Sequence, residues 1–172
     1  MESSKSNALN AVEKKVKEGF IGQKMIVLPP NIKKSVVKTD LIKRFYLTAI
    51  GFYPHADFHD RERKSGCSQY ILLYCVNGSG NIWLPDKNIA IKPNTFFIIP
   101  KNVPHHYKSS PSDPWSIYWV HFIGDNADLL YDRYNEKKTD DFSIPYDERR
   151  ILEFEEIFNL LENSFEMRDL QI

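Results

Sequence analysis

Short aromatic and β-branched runs, separated by turn residues, fill the middle of the chain. Seven such runs cover residues 45–53, 69–76, 81–84, 88–92, 96–99, 105–108 and 115–123. These residue types are enriched in strands, and the Gly, Asn and Pro between them suit tight turns. Short strands at hairpin spacing, with no helical pattern among them, predict an antiparallel sandwich or barrel.

Apolar residues at helical spacing lie on both sides of this region. Ahead of it, residues 7–18 predict a short amphipathic helix that ends at Gly19. Behind it, Asp125 or Asn126 is suited to cap a helix that ends in the polar stretch 135–141. The apolar positions of these stripes are Leu9, Val12, Val16 and Phe20 in the first helix and Ala127, Leu130, Tyr131 and Tyr134 in the second.

A second C-terminal helix is predicted from Asp147 onward. A heptad-like seam recurs along it at steps of three and four residues, and further apolar positions widen the stripe. The seam is Ile151, Phe154, Phe158, Leu161 and Phe165, and the widening positions are Leu152, Ile157 and Leu160. We expect one side of this wide stripe to face the barrel and the seam to form a homodimer interface. Packing of the whole stripe on the barrel is the alternative.

The charge balance limits the partners of the chain. Its 172 residues contain 23 Lys and Arg against 23 Asp and Glu, so the formal net charge is zero. A chain of this length can bury the core of one globular domain without disulfides. Because phosphate neutralisation needs a surplus of basic residues, we do not expect these residues to bind DNA by themselves.

Cysteine usage and hydropathy bear on the compartment. Cys67 and Cys75 lie at the two ends of one predicted run, roughly 26 Å apart at about 3.3 Å per residue, so they cannot pair within it. The N-terminus has no apolar signal stretch, and no apolar run approaches the ~18 residues of a membrane span. These features predict a reduced protein of the cytoplasm.

Residues 93–105 resemble the second signature of the cupin superfamily. That signature places glycines at two tight turns, followed by a histidine. Here Asn94 and Asn102 occupy the glycine positions and His105 the histidine position. Asn is the residue that best replaces Gly at positive φ. The resemblance and the strand count predict a mainly β fold: a cupin-type double-stranded β-helix, or jelly-roll barrel, followed by C-terminal helices and preceded by a short N-terminal helix.

Cupin enzymes hold a metal with a His-x-His pair and a Glu from a first signature together with the second-signature histidine. This chain has His55 and His59 four residues apart, and residues 69–81 contain no His, Asp or Glu. A catalytic metal site needs about three protein ligands. We therefore expect no metal, no other cofactor and no enzymatic activity. A metal-dependent cupin enzyme acting on a sugar is the alternative function.

Strand alternation favours a binding interior instead. His105 and Tyr107 share one face of their strand, and Trp119 and His121 share one face of the last strand. Together with an arginine, such a set suits a sugar, because an aromatic ring packs on the apolar face of a sugar ring and polar groups bind its hydroxyls. A third interpretation is a dimerisation scaffold whose interior is filled by its own aromatic side chains.

Residues 45–124, about half of the chain, resemble the N-terminal effector domain of AraC-family transcriptional regulators. The similarity lies in the order and spacing of Tyr53-Pro54, Arg63, Tyr70-Ile71-Leu72, Gly78-x-Gly80, Pro104-His105-His106-Tyr107 and Trp115 to Phe122. The resemblance implies a sugar-sensing, dimer-forming domain that controls DNA binding by a C-terminal pair of helix-turn-helix motifs, which this chain lacks. The implied partners are a carbohydrate effector, a second copy of the chain, and DNA through the missing domain only.

The resemblance also implies a site. Arg63, Tyr107 and Trp119 fall on sugar contacts of the arabinose-responsive member of the family, and Tyr53 falls on its threonine contact. Ile117 stands where that member has a pocket histidine, and His121 is the expected substitute. The predicted ligand-binding set is Tyr53, Arg63, His105, Tyr107, Trp119 and His121.

The predicted organisation has three parts. These are an N-terminal helix and arm over residues 1–44, the barrel over residues 45–124, and a helical dimerisation region over residues 125–172. We expect the segment 20–44 to close over the mouth of the barrel.

Overall fold

The computed structural model describes residues 13–137 and 140–169, with side chains through residue 163. Its strands are β1 (Lys24–Val27), β2 (Tyr46–Tyr53), β3 (Asp60–Arg63), β4 (Tyr70–Asn77), β5 (Gly80–Trp83), β6 (Asn88–Ile91), β7 (Thr95–Ile99), β8 (His105–Ser109) and β9 (Ser116–Ile123). Its α-helices are α1 (Pro30–Val36), α2 (Asp125–Asn135) and α3 (Glu148–Asp169), and a 3-10 turn covers Ile42–Arg44. No helix in these ranges has the length and apolar character needed to cross a membrane.

Two antiparallel sheets form the barrel. One sheet has the order β1-β2-β9-β4-β7 and the other has the order β3-β8-β5-β6. The main core cluster lies between them, since it joins Leu73 and Ile117 of the first sheet to Ile82 and Ile91 of the second. The predicted cupin-type jelly roll with C-terminal helices is confirmed, and all seven predicted runs form strands.

Two strands were not predicted from the sequence. β3 has the sequence Asp-Arg-Glu-Arg, which is poor in strand-forming residues, yet it pairs along its length with β8. β1 lies in the segment expected to be an arm and pairs antiparallel with β2. Backbone pairing with an existing sheet edge therefore makes a strand of β3, although its side chains do not favour one.

The two turns of the cupin-like signature adopt the predicted backbone. Asn94 and Asn102 both have a φ of 60°, in the left-handed region that the signature reserves for glycine. Cys67 and Cys75 are both free thiols.

The predicted N-terminal helix is wrong in its described part. Residues 7–12 lie outside the described residues, and residues 13–18 contain no helix. Instead Val16 donates its N–H to the carbonyl of Phe58 at 2.9 Å, and its own carbonyl accepts from Asp60 N–H at 3.0 Å. These long-range backbone hydrogen bonds replace the local ones of a helix. The short helix is α1, which begins at Pro30, a residue whose fixed φ suits a first helical position.

Helix α2 covers one end of the outer face of the five-stranded sheet. Its buried Ala127 and partly buried Tyr131 and Tyr134 pack on a cluster that includes Tyr70 and Phe122. The predicted cap is wrong: Gly124 is the N-cap, with a φ of 129° and no side-chain hydrogen bond. A Cβ at Gly124 would lie 2.2 Å from the carbonyl oxygen of Arg44, so the close approach of that backbone requires glycine there.

The α3 seam is buried against the barrel of its own chain, which corrects its prediction as a partner-facing surface. Phe158 is 2% exposed and packs with Ile50, Tyr74 and Tyr118 of the sheet. Ile151, Phe154 and Leu161 are partly buried against the same cluster. The side chain of Phe165 lies outside the described residues. The exposed leucines in the described part of this helix are Leu152 and Leu160, which lie outside the seam. The heptad spacing of the seam is therefore explained by packing of the helix on the sheet.

Candidate functional site

A cavity of about 220 Å³ opens at one end of the barrel interior. Polar and aromatic side chains from both sheets form its walls, and residues of the N-terminal segment lie at its mouth. The polar and aromatic wall residues are Thr48, Tyr53, His59, Arg61, Arg63, Gln69, Tyr107, Trp119 and His121; Lys17, Glu18, Met25, Val27 and Lys33 come from the N-terminal segment. The other end of the interior is closed by apolar residues, including Ile82, Ile89 and Phe97.

Five of the six predicted ligand-binding residues line this cavity: Tyr53, Arg63, Tyr107, Trp119 and His121. The sixth, His105, is buried behind the wall and contacts the side chain of Arg63. Strand alternation identified Tyr107, Trp119 and His121 as inward positions, because a period of two separates the two faces of a strand, whereas Tyr53 and Arg63 came from the family resemblance.

Arg63 is held by two residues of β8. Its Nη1 donates to the hydroxyl of Tyr107 at 3.0 Å and lies 3.2 Å from Nε2 of His105. His105 Nδ1 lies 2.9 Å from the carbonyl of Val103, so Nδ1 carries the proton and Nε2 accepts from Arg63. Burial, and then the charge of Arg63, lowers the pKa of His105, while the Val103 carbonyl opposes the shift. His105 is therefore a neutral positioning residue for the guanidinium.

Trp119 lies directly over the backbone of Gly51 on the neighbouring strand. A Cβ at Gly51 would sit 2.3 Å from Cε2 of the indole, so this ring position requires glycine at residue 51. The ring of Tyr53 meets the indole edge-on, with ring centres 5.4 Å apart. Trp119 is 6% exposed, and its Nε1 has no hydrogen-bond partner among the described residues. A buried N–H without a partner is costly, so a movement of the ring that brings Nε1 to a ligand acceptor would be favoured.

His59 also lines the cavity, although the sequence analysis considered it only as a possible metal ligand. It is 2% exposed, and its Nδ1 accepts a hydrogen bond from Nε1 of Trp115 at 3.1 Å. Burial, followed by the charge of Arg61, lowers the pKa of His59 to about 3. The ring is therefore neutral at pH 7 with its proton on Nε2, the nitrogen that has no protein partner in the described part of the chain.

One signal in the sequence marks this wall. His59, Arg61 and Arg63 are spaced two residues apart, the period of one strand face. The intervening Asp60 and Glu62 belong to the opposite face, where Asp60 accepts from His106 Nε2 at 2.8 Å. This segment was not predicted as a strand because charged residues such as Asp and Glu are uncommon in strands.

His121 and Gln69 complete the wall. Nδ1 of His121 lies 3.1 Å from Oε1 of Gln69, which makes Nδ1 the donor and leaves Nε2 as an acceptor. Burial, and then Arg63 and Arg61, lowers the pKa of His121 to about 4. Burial also raises the pKa of Tyr53, so its hydroxyl stays protonated. His59, His121 and Tyr53 thus serve as neutral hydrogen-bonding groups at pH 7.

The charges of the wall come from other residues. Lys17, Lys33, Arg61 and Arg63 are cationic, and Glu18 is the carboxylate of the described lining. Within residues 13–137 and 140–169, no group of three or more His, Cys, Asp or Glu side chains is placed to hold a metal ion. The arrangement suits a polar ligand bound by hydrogen bonds and charge.

Comparison with known proteins gives a family match and two curated relatives. The model of the AraC-like ligand binding domain matches residues 46–171. The chain is 24% identical over 107 residues to the MmsAB operon regulatory protein of Pseudomonas aeruginosa, covering 60% of this chain and 34% of that protein. It is 23% identical over 61 residues to the Msm operon regulatory protein of Streptococcus mutans, covering 36% and 22%. The matches span about a third or less of these relatives.

A solved structure with a similar fold is a cupin superfamily protein from Desulfitobacterium hafniense. The identity is 13% and the TM-score is 0.39, over 63% of this chain and 84% of the other.

Proposed function

Because the chain belongs to the family of AraC-like ligand-binding domains, we propose that it senses a sugar or a related small polar metabolite inside the barrel. The observation that carries this proposal is the indole of Trp119, which lines the cavity and whose buried Nε1 has no hydrogen-bond partner among the described residues. Leaving such a group unpaired costs about 1–3 kcal/mol. A ligand oxygen that accepts from Nε1 removes this cost and stabilises the bound state.

The composition of the wall supports a hydroxylated ligand. Trp119, Tyr53 and Tyr107 supply aromatic surface for the apolar face of a sugar ring. The neutral His59 offers a donor, and Nε2 of His121 offers an acceptor. A sugar hydroxyl both donates and accepts, so it needs this mixture of groups.

The proposed output is control of transcription in the cytoplasm. Both curated relatives are, by name, operon regulatory proteins. The zero net charge of this chain supports DNA contact through a separate helix-turn-helix domain. Ligand binding would change how two such domains are presented to DNA.

Strand β1 is the proposed link between the cavity and the C-terminal helix. Its Met25 and Val27 lie at the cavity, while Lys24 pairs with Glu155 of α3 and Ile26 packs in the Phe158 cluster. One short strand therefore contacts both regions through its two faces. If the segment 20–44 couples ligand to output, deleting its residues 20–28, which include β1, should weaken ligand binding; unchanged affinity would exclude this role.

The helices are the proposed dimerisation region. With the seam buried on the barrel, the apolar side chains that support this role are Leu129 and Leu130 of α2 and Leu152 of α3, which are 68%, 45% and 59% exposed. Sedimentation velocity on the purified chain should show a dimer. Leu152→Lys should shift it to monomer without unfolding it, and a wild-type monomer at tens of micromolar would contradict dimerisation.

A thermal-shift screen tests the ligand proposal, because a ligand of the folded state raises its apparent stability by mass action. The purified chain is heated with neutral monosaccharides, uronic acids, sugar phosphates and divalent metals. We expect a saturable shift with one class of sugar and an affinity loss of at least tenfold in Trp119→Ala and Arg63→Ala.

The matched control is Trp83→Ala. Trp83 stacks on His106 on the outer side of the four-stranded sheet and is not part of the cavity lining. It should keep the wild-type affinity. If Trp119→Ala keeps the thermal shift with sugar, the proposed site is wrong. A large thermal shift with metals and none with sugars would favour a metal-dependent enzyme.

A further inference from the structure

The cationic side chains of the cavity outnumber its carboxylates. Among the described lining residues, Lys17, Lys33, Arg61 and Arg63 face a single carboxylate, Glu18. A positive group in a partly buried site normally has an anionic partner, because desolvated charge is costly. This imbalance distinguishes the cavity from the chain as a whole, whose charges cancel.

The two arginines are the informative members of this set. Both project from β3 on the cavity side, two residues apart. Arg63 bonds to Tyr107 and His105, both of which are uncharged, and Arg61 has no hydrogen bond or ion pair in the described part of the chain. Neither guanidinium is neutralised by a carboxylate of the described residues.

The two neighbouring carboxylates of the strand, Asp60 and Glu62, lie on the face opposite to the arginines. Asp60 is buried on the other face of β3, where it pairs with His106 and lies 4.0 Å from Lys15. The neighbouring histidines respond to the unbalanced charge: Arg61 and Arg63 contribute, after burial, to the lowered pKa of both His59 and His121. The positive potential therefore extends across the wall.

The hydrogen-bonding inventory has the same bias. The side chains with free capacity include three donors, the guanidinium of Arg61, the Nε1–H of Trp119 and the Nε2–H of His59, against one acceptor nitrogen, Nε2 of His121. Carboxylates and phosphates are the groups that only accept, and a guanidinium matches their geometry with two parallel bonds.

We infer that the ligand of this cavity carries an oxyanion, a carboxylate or phosphate, beside its hydroxyl groups, and that Arg61 and Arg63 bind that oxyanion. The inference rests on the proposed sensing function and narrows its ligand class from sugars in general to acidic sugars and their close relatives. The cavity volume of about 220 Å³ exceeds the roughly 150 Å³ that accommodates benzene, so it suits a ligand of about one ring.

Matched ligand sets test this inference. Dissociation constants are measured by calorimetry at constant ionic strength for glucose, glucuronate and glucose 6-phosphate, for the corresponding galactose series, and for inorganic phosphate as the smallest oxyanion. We expect at least one acidic member to bind about tenfold or more tightly than its neutral parent. The comparison of uronate with phosphate then distinguishes the two oxyanions.

Arginine variants test the assignment. Arg61→Gln should weaken the acidic ligand about tenfold or more, and Arg61→Lys should restore part of the loss because it keeps the charge. Arg44→Gln is the matched control, since Arg44 is exposed and is not part of the cavity lining. It removes the same net charge and should leave the affinity unchanged.

The outcomes separate this inference from the proposed function. If neutral sugars bind as tightly as the corresponding acids, the proposal that the ligand carries an oxyanion is wrong, but the proposed ligand-sensing function is unaffected. Acid binding that survives Arg61→Gln would overturn the assigned site. No binding by any sugar, acid or phosphate would overturn both proposals.

Discussion

The two faces of β9 differ in how completely their polar groups are satisfied. On the outer face, Tyr118 stacks on Phe52 and Phe154 and donates its hydroxyl to Glu155 at 3.0 Å. On the inner face, the adjacent Trp119 is equally buried, yet its Nε1 has no partner in the described residues. On the outer face, the Tyr118 hydroxyl is hydrogen-bonded within the chain. On the inner face, the Trp119 N–H has no such partner among the described residues.

This difference separates packing from binding within one strand. Aromatic side chains occur on both faces, so aromaticity alone does not identify a site. Unsatisfied donors, unneutralised arginines and neutral buried histidines occur together on the inner side. A substitution on the outer face should therefore change stability, and one on the inner face should change ligand binding.

The largest expected effect is on the outer face. Phe158→Ala empties the centre of the contact between α3 and the sheet and should lower the free energy of unfolding by about 3–5 kcal/mol. Urea denaturation measures this loss. Leu160→Ala on the exposed side of the same helix, outside the proposed dimer contacts, is the control and should cost less than about 1 kcal/mol. A small loss for Phe158→Ala would mean that α3 is not docked as described.

The second largest expected effect is a loss of folding stability at acidic pH, caused by the buried histidines of the inner face. The folded-state pKa of His59 is about 3 and that of His121 about 4, both below the 6.5 of the unfolded chain. The unfolded state therefore binds more protons below pH 6.5, and stability falls as the pH falls. Each histidine should cost about 2 kcal/mol at pH 5. In urea denaturation at pH 7 and pH 5, His59→Gln should remove about 2 kcal/mol of the acid-induced loss of stability. An unchanged pH dependence would contradict a buried, neutral His59.

Gly51→Ala should damage the site through packing. The new Cβ would lie 2.3 Å from the Trp119 ring and displace it, at a cost of about 1–3 kcal/mol and with weaker ligand binding. In a Trp119→Ala background the same change should cost much less, because the clash is gone. Equal costs in both backgrounds, measured as a double-mutant cycle, would contradict the described ring position.

The smallest expected effect on stability is that of Trp119→Phe. The loss of packing area is offset by removal of an unpaired N–H, so the unliganded protein should change by less than about 1 kcal/mol while ligand affinity falls. Trp115→Phe is the matched comparison. It removes the donor to His59 and should cost about 1–3 kcal/mol. Similar losses of stability in the two variants would contradict the claim that the indole N–H of Trp115 is hydrogen-bonded and that of Trp119 is not.

The sequence predicts the barrel well because period-two patterns and turn residues act locally. Asn94 and Asn102 adopt the left-handed backbone that their place in the signature requires, and alternation directs Tyr107 and Trp119 inward. β3 was missed because its side chains serve the cavity and lack strand propensity.

The remaining errors concern contacts between segments distant in sequence. The periodicity of Phe158 and its neighbours identifies an apolar helix face, but it carries no information about whether a barrel or a partner covers that face. Val16 follows a helical pattern, yet its backbone pairs with residues about 40 positions away. His59 was not grouped with Arg63 because the strand that carries Arg63 was not predicted, although their spacing fits one strand face.

The most direct test of the inner-face site follows the indole N–H signals of the three tryptophans by ¹H–¹⁵N NMR during titration with glucuronate and with glucose. We predict a saturable shift of the Trp119 signal with glucuronate and a much weaker response to glucose, while Trp83, outside the cavity, stays fixed. Saturable glucuronate binding that leaves the Trp119 signal unmoved would contradict the site.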